Sequence, residues 1–111
     1  MSAQRPDLLQ GTLDLLILQT LEREQLHGWA ISRRIRQLSC DTLVVSQGSL
    51  YPALYRLEDR GWIAGAEALS PEGRRIRVYR LSAAGRRQLA REEETWRRFS
   101  AGVNLVLKPA T

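Results

Sequence analysis

The chain has 111 residues, 43% hydrophobic and 26% charged, values that describe one soluble globular domain and exclude wholesale disorder. One Cys excludes a disulfide framework and fits a reducing cytosol, and with a single His no zinc or iron site can be built from His and Cys alone. Lys and Arg number 17 against 12 Asp and Glu, a net charge of +5 that points to a polyanionic partner: DNA, RNA or an anionic membrane. No apolar run is long enough to span a bilayer, and MSAQRPDLLQ lacks the basic-then-apolar order of a secretory signal, so a cytoplasmic location is expected.

A first helix is expected over Leu8–Gln25. Leu9, Leu13, Leu16 or Ile17, and Leu21 recur at helical spacing, and Leu15 and Leu18 widen the apolar stripe. Asp7 and Gln10 resemble a capping pair, although Gly11-Thr12 also fits a start. His27-Gly28 breaks this helix. His27 reads as structural, capping or packing at the start of a second helix, with the amides near Gly28 and Trp29 open to a phosphate. That second helix, Gly28–Leu38, turns Ile31, Ile35 and Leu38 inward and Arg33, Arg34, Arg36 and Gln37 elsewhere. Residues 39–45 form a connector in which Cys40 is a small core or connector residue; no partner Cys or basic cluster marks a reactive thiolate. A third helix starts at Ser46 or Ser49, with Leu50, Leu54 and Leu57 inward and Gly61 at its end.

The period then changes. Residues 62–69 and 76–81 read as two strands joined by Ser70-Pro71-Glu72-Gly73, a sequence suited to a type I turn, with Arg74-Arg75 making a basic tip. Ser82 caps a final helix over Ala83–Leu107, with Pro109 beyond it. Leu89, Trp96 and Val103 recur every seven residues, as do Phe99 and Val106, which makes a coiled-coil-like seam; Glu92, Glu93 and Glu94 read as a solvated face.

Three helices followed by a hairpin are the parts of a winged helix-turn-helix. The expected fold is mainly α with a small β-hairpin: a DNA-binding domain over residues 1–81, then a dimerisation helix over 82–111. The third helix would enter the major groove and the hairpin would act as the wing. Ser46, Gln47, Ser49 and Tyr51 offer neutral hydrogen-bonding groups for base edges and phosphates, and Gly48 allows close backbone approach. Pro52 lies in the same segment. Arg33, Arg56, Arg74, Arg75 and Arg77 surround it as phosphate contacts, and Tyr55 reads equally as a DNA contact or a half-buried aromatic. Leu89, Trp96, Phe99, Val103 and Val106 are the expected dimerisation residues. No P-loop, dinucleotide glycine pattern or paired-His motif is present, so neither an enzyme nor a bound cofactor or metal is expected.

SQGSLYPALYRLEDRGWI, residues 46–63, resembles the recognition-helix signature of the PadR family of bacterial transcriptional regulators. LLQGTLDLLILQTL (8–21), LHGWAISRRI (26–35) and RVYRLSAAGRRQL (77–89) are similar to that family's first helix, second helix, and second wing strand with following helix. Trp29 stands where Tyr is more usual, and Trp62 where an aliphatic residue is common. The resemblance implies a dimeric repressor that binds an inverted-repeat operator and, in some members, answers to small aromatic or lipophilic molecules. One C-terminal helix matches the short subfamily, in some members of which an aromatic residue lines a cavity at the dimer interface; Trp96 holds a similar position and is the expected effector contact. Two other classes stay open: a winged-helix protein-interaction module without DNA binding, and a basic peripheral membrane protein. The first would not need the polar, basic third-helix surface, and the second would need free apolar helix faces.

Overall fold

The computed structural model describes residues 5–108, and the side chains of 11–108. The elements run α1 (Arg5–Arg23), β1 (Leu26–His27), α2 (Gly28–Leu38), α3 (Gln47–Asp59), β2 (Ile63–Leu69), β3 (Arg75–Leu81) and α4 (Ala83–Leu107). This is the expected order and fold class, with one strand added. The side chains of Leu8 and Leu9 and the Asp7–Gln10 pair fall outside the described side chains, and Pro109 outside the described residues.

α1 is the central post. Leu13, Ile17, Leu18 and Leu21 are buried, against Ile31 and Ile35 of α2, Leu50, Ala53, Leu54 and Leu57 of α3, and Ile63, Tyr79 and Leu81 of the sheet. Burying each large aliphatic side chain stabilises the fold by about 1.5–3 kcal/mol, so this cluster dominates the monomer's stability. Thr20, buried beside this cluster, donates its hydroxyl to the Leu16 carbonyl at 2.7 Å.

Local chemistry sets the boundaries. His27 caps α2 as expected, its Nδ1 accepting from the Ala30 amide at 3.3 Å. Ser46 caps α3 and Ser82 caps α4, which settles the third helix's start in favour of Ser46. α3 ends as a Schellman motif: Gly61, at φ 76°, donates to Glu58 at 3.0 Å and Trp62 donates to Leu57 at 3.1 Å. The hairpin turn closes through the Gly73 amide on the Ser70 carbonyl at 2.9 Å, and Gly73 takes φ 83°, which glycine tolerates without strain.

Three expectations change. Leu26–His27 forms a short strand that pairs with β3, Leu26 opposite Tyr79 and His27 opposite Val78, so the sheet has three strands ordered β1-β3-β2. Leu38 is exposed, because the buried face of α2 ends at Ile35. Cys40 is an exposed connector residue, not a core one; it and Asp41 take φ 53° and 65° in the tight turn after α2.

Candidate nucleic-acid interface

α3 divides cleanly into two faces. Leu50, Ala53, Leu54 and Leu57 hold it to the core. Gln47, Gly48, Tyr51, Pro52 and Tyr55 make an exposed strip along the other side. Tyr55 is 77% exposed and presents its phenol outward, whereas Tyr51, 39% exposed, lies partly against the start of α2. Ser46 and Ser49 are consumed by the helix start: the Ser49 amide donates to Ser46 Oγ at 3.2 Å, and the two hydroxyls lie 3.2 Å apart. Gln47 is the exposed amide side chain at the strip's leading end.

Beside the strip lies a cleft of about 400 Å³ between the start of α2, Tyr51, and the wing; Arg74, Arg75 and Arg77 form its basic wall. Gly28 makes the cleft's floor. A Cβ there would stand 2.9 Å from the Tyr51 ring, so only glycine lets Tyr51 lie against the first turn of α2. Trp29 borders the cleft and is 47% exposed. Its ring stacks on His27, with centroids 6.3 Å apart, and carries the Arg33 guanidinium 4.6 Å from its centroid. His27 and Trp29 thus extend the basic surface with a stacked aromatic pair, which their i, i+2 spacing does not disclose.

The five arginines expected at phosphates fall into three groups. Arg74 and Arg75 are exposed at the wing tip and form no ion pair among the described residues. Arg33 is exposed but stacked on Trp29. Arg56 and Arg77 are engaged elsewhere. Arg56 bridges to Asp14 of α1 at 2.5 Å in a largely buried pair that draws its guanidinium towards α1. Arg77 bridges to Glu58 of α3, also at 2.5 Å, with its guanidinium 5.9 Å from the centre of the Tyr79 ring. The Glu58 hydrogen bond and charge hold the Arg77 pKa above its usual value. Burial pushes the Tyr79 phenol up, and the charge of Glu58 pushes it further. Glu58 escaped sequence reasoning, though a carboxylate two turns beyond Tyr51 on an otherwise polyanion-facing strip is a signal that it has a cationic partner.

The last helix leaves the domain. The Cα extents of 59 × 33 × 23 Å reflect its projection beyond the body. Leu89 is buried within the monomer core, because the first turns of α4 pack on α1 and the sheet; within one chain it serves folding rather than a subunit seam. Trp96, Phe99, Val103 and Val106 are exposed, and Leu107 extends the same side. Trp96 and Phe99 form a tilted pair with centroids 6.0 Å apart. They wall a groove of about 300 Å³ whose other side is Gly11, Thr12 and Leu15 of α1.

Residues 17–91 match the transcriptional regulator PadR-like family. A transcriptional regulator of Mycobacterium tuberculosis is 36% identical over 83 residues, which cover 75% of this chain and 74% of that protein. A solved transcriptional regulator from Clostridium thermocellum superposes with a TM-score of 0.84 at 27% identity, covering 92% of this chain and 99% of the other. A solved PadR family transcriptional regulator from Eggerthella lenta gives a TM-score of 0.77 at 29% identity, covering 97% and 92%. The chain belongs to the PadR-like family of transcriptional regulators. It is a DNA-binding regulator of transcription, not an enzyme. No helix among the described residues is long and apolar enough to cross a membrane.

Proposed function

We propose that two copies of the chain join through α4 and repress transcription by occupying an inverted-repeat operator on double-stranded DNA. Each α3 enters a major groove with Gln47 and Tyr51 towards the base edges, and each wing lays Arg74 and Arg75 along phosphates. The observation that carries this reading is the exposed polar strip of α3 flanked by two wing arginines that form no ion pair among the described residues. A protein-interaction module would have no use for that juxtaposition. Dimerisation would cover Trp96, Phe99, Val103 and Val106, an apolar stripe too long for a monomer surface. The two recognition helices would then stand about one helical turn of DNA apart, about 34 Å.

The same stripe supports the release step. Trp96 borders the groove against α1, and a flat aromatic or lipophilic molecule stacked there would favour one angle between the paired helices. That angle sets the separation of the recognition helices, so a molecule preferring one angle shifts the population competent for DNA. Such a regulator would work in the cytoplasm and needs no cofactor.

The test is selection of a duplex from a random-sequence pool by the wild-type chain, followed by binding at several salt concentrations. If the dimer neutralises about six phosphates, log affinity should fall against log salt with a slope near −5. Arg74→Ala with Arg75→Ala should weaken selected and unselected duplexes alike and flatten that slope. Gln47→Ala should instead narrow the gap between them, by about 1–3 kcal/mol for a good base contact. Equal affinity of the wild type for both duplexes would defeat the operator reading.

A further inference from the structure

We propose that Arg77 is a positioning residue and not a phosphate contact: its bridge to Glu58 ties the wing to the recognition helix and fixes the spacing between them. The inference rests on the docking of α3 and the wing described above, and it assigns a role within that docking which basic character alone does not suggest.

Four observations converge. The bridge joins residues 19 apart in sequence, one on β3 and one near the end of α3, at 2.5 Å. It is not the nearest partner on offer within the hairpin. Glu67 stands directly opposite Arg77 in the β2–β3 ladder, yet the guanidinium reaches out of the hairpin to α3. The path it takes is prepared. Gly65 lies beside it without a side chain, and a Cβ there would stand 2.6 Å from Arg77 Nε and 2.9 Å from Cζ. The buried Tyr79 lies two residues on along the same face of β3, its ring beneath the guanidinium. Arg77 therefore forms a wall between the cleft under the wing and a second pocket of about 250 Å³ lined by Tyr51, Tyr55, Glu58 and Tyr79.

Charge logic gives the same answer. Tyr51, Tyr55 and Glu58 follow i, i+4, i+7 spacing and share a side of α3. An unpaired carboxylate on that side would repel DNA. Paired with Arg77 it does not, and Arg77 in turn has no charge left over for a phosphate. Arg74 and Arg75, two to three residues nearer the tip, form no ion pair among the described residues and supply the grip. The wing thus separates the roles of neighbouring cations: Arg74 and Arg75 for the polyanion, Arg77 for its own alignment.

The experiment uses the full-length chain with a 30-base-pair duplex selected from a random pool and an unselected duplex as probes. Glu58→Gln and Gly65→Ala are the informative variants, because neither removes a positive charge. Glu58→Gln deletes a negative charge near DNA, which simple electrostatics says should tighten binding. Gly65→Ala changes no charge and replaces glycine inside a strand, a change that ordinarily leaves stability the same or better, but its Cβ displaces the guanidinium. The expected result is that both weaken binding to the selected duplex by about threefold to tenfold with an unchanged salt slope. Arg77→Gln should behave the same way, whereas Arg74→Ala, as the phosphate-contact control, should flatten the slope by about 1 per site. Without DNA, amide hydrogen exchange at Ile76, Arg77 and Val78 should be faster in Glu58→Gln and Gly65→Ala than in the wild type.

Binding by Glu58→Gln or Gly65→Ala as tight as, or tighter than, the wild type would overturn the proposal. So would an Arg77→Gln salt slope flattened like that of Arg74→Ala, or unchanged amide exchange. Should the wild type select no duplex at all, the docking reading would fall, while the exchange measurement would still decide whether the bridge holds the wing.

Discussion

The two halves of α4 follow opposite rules although they are one unbroken helix. The first half is tied in at every turn: Ser82 caps it, Gly85 is buried against the chain leaving α3, and Leu89 enters the monomer core. The second half, from Trp96 onward, presents Phe99, Val103, Leu105, Val106 and Leu107 to solvent, with Trp96 and Phe99 forming a tilted aromatic pair. Helix propensity does not separate them. What differs is the cover: the first half is packed by its own chain, and the second leaves its apolar side chains exposed, the face that the proposed dimer would bury. Helical periodicity reports that a face is apolar, and only tertiary structure tells which surface will cover it.

The comparison can be broken at either end. The largest effect belongs to Gly85→Ala. A Cβ at this position would collide with the Trp62 carbonyl oxygen, a backbone atom that cannot step aside as a side chain can. Overpacking against backbone should cost about 3 kcal/mol of monomer stability, read by urea denaturation with the dimer held dissociated. A loss under about 0.5 kcal/mol, the range of ordinary surface changes, would mean the first half is not seated as described.

An intermediate effect is expected at the far end. Val103→Asp with Val106→Asp should raise the dimer dissociation constant at least about tenfold, equivalent to about 1.4 kcal/mol, while the melting transition of the domain stays in place. Light scattering across a dilution series reads the association and circular dichroism reads the fold. An unaltered dimer would place the subunit contact elsewhere.

The smallest effect on stability is expected for Trp96→Ala. The indole is 43% exposed in the single chain, so its removal should cost the monomer less than about 1 kcal/mol. The same substitution should abolish fluorescence quenching by planar aromatic compounds that persists with Trp29 and Trp62 intact. Quenching that survives the change would remove Trp96 from the effector role.

Much of the fold was legible because its signals are local. Three caps, two turn glycines and the 3.6-residue spacing of Leu50, Leu54 and Leu57 act within a few residues of where they are read. What stayed hidden depends on distance in sequence. β1 is two residues long, too short to show any period, and exists because β3 offers it a free edge. Arg56 and Arg77 resemble their neighbours Arg74 and Arg75 in composition. Their fates differ because Asp14, 42 residues away, and Glu58, 19 away, are brought beside them by the fold. Leu89 fits a heptad with Trp96 and Val103, and the heptad cannot say that its first member is already claimed by the core. At the site, the exposed strip of α3 and the free wing tip were visible from the residues, whereas the aromatic stack of His27, Trp29 and Arg33 required the turn into α2.

The seat of Gly85 on Trp62 has a mechanical consequence. Trp62 is the residue through which α3 makes its final turn, so the recognition helix hands directly onto the base of α4. α4 has 25 residues and is about 37 Å long. In a dimer joined through α4 as proposed, it would act as a lever arm with its fulcrum at that seat. A tilt of about 5° at the fulcrum sweeps the far tip through about 3 Å, given the rise per residue of an α-helix. If two copies pair through α4 as proposed, the gearing would run both ways: a displacement of a few ångströms between the paired tips would return to α3 as a rotation of a few degrees. With no side chain at Gly85 to cushion the joint, there is little slack to absorb it.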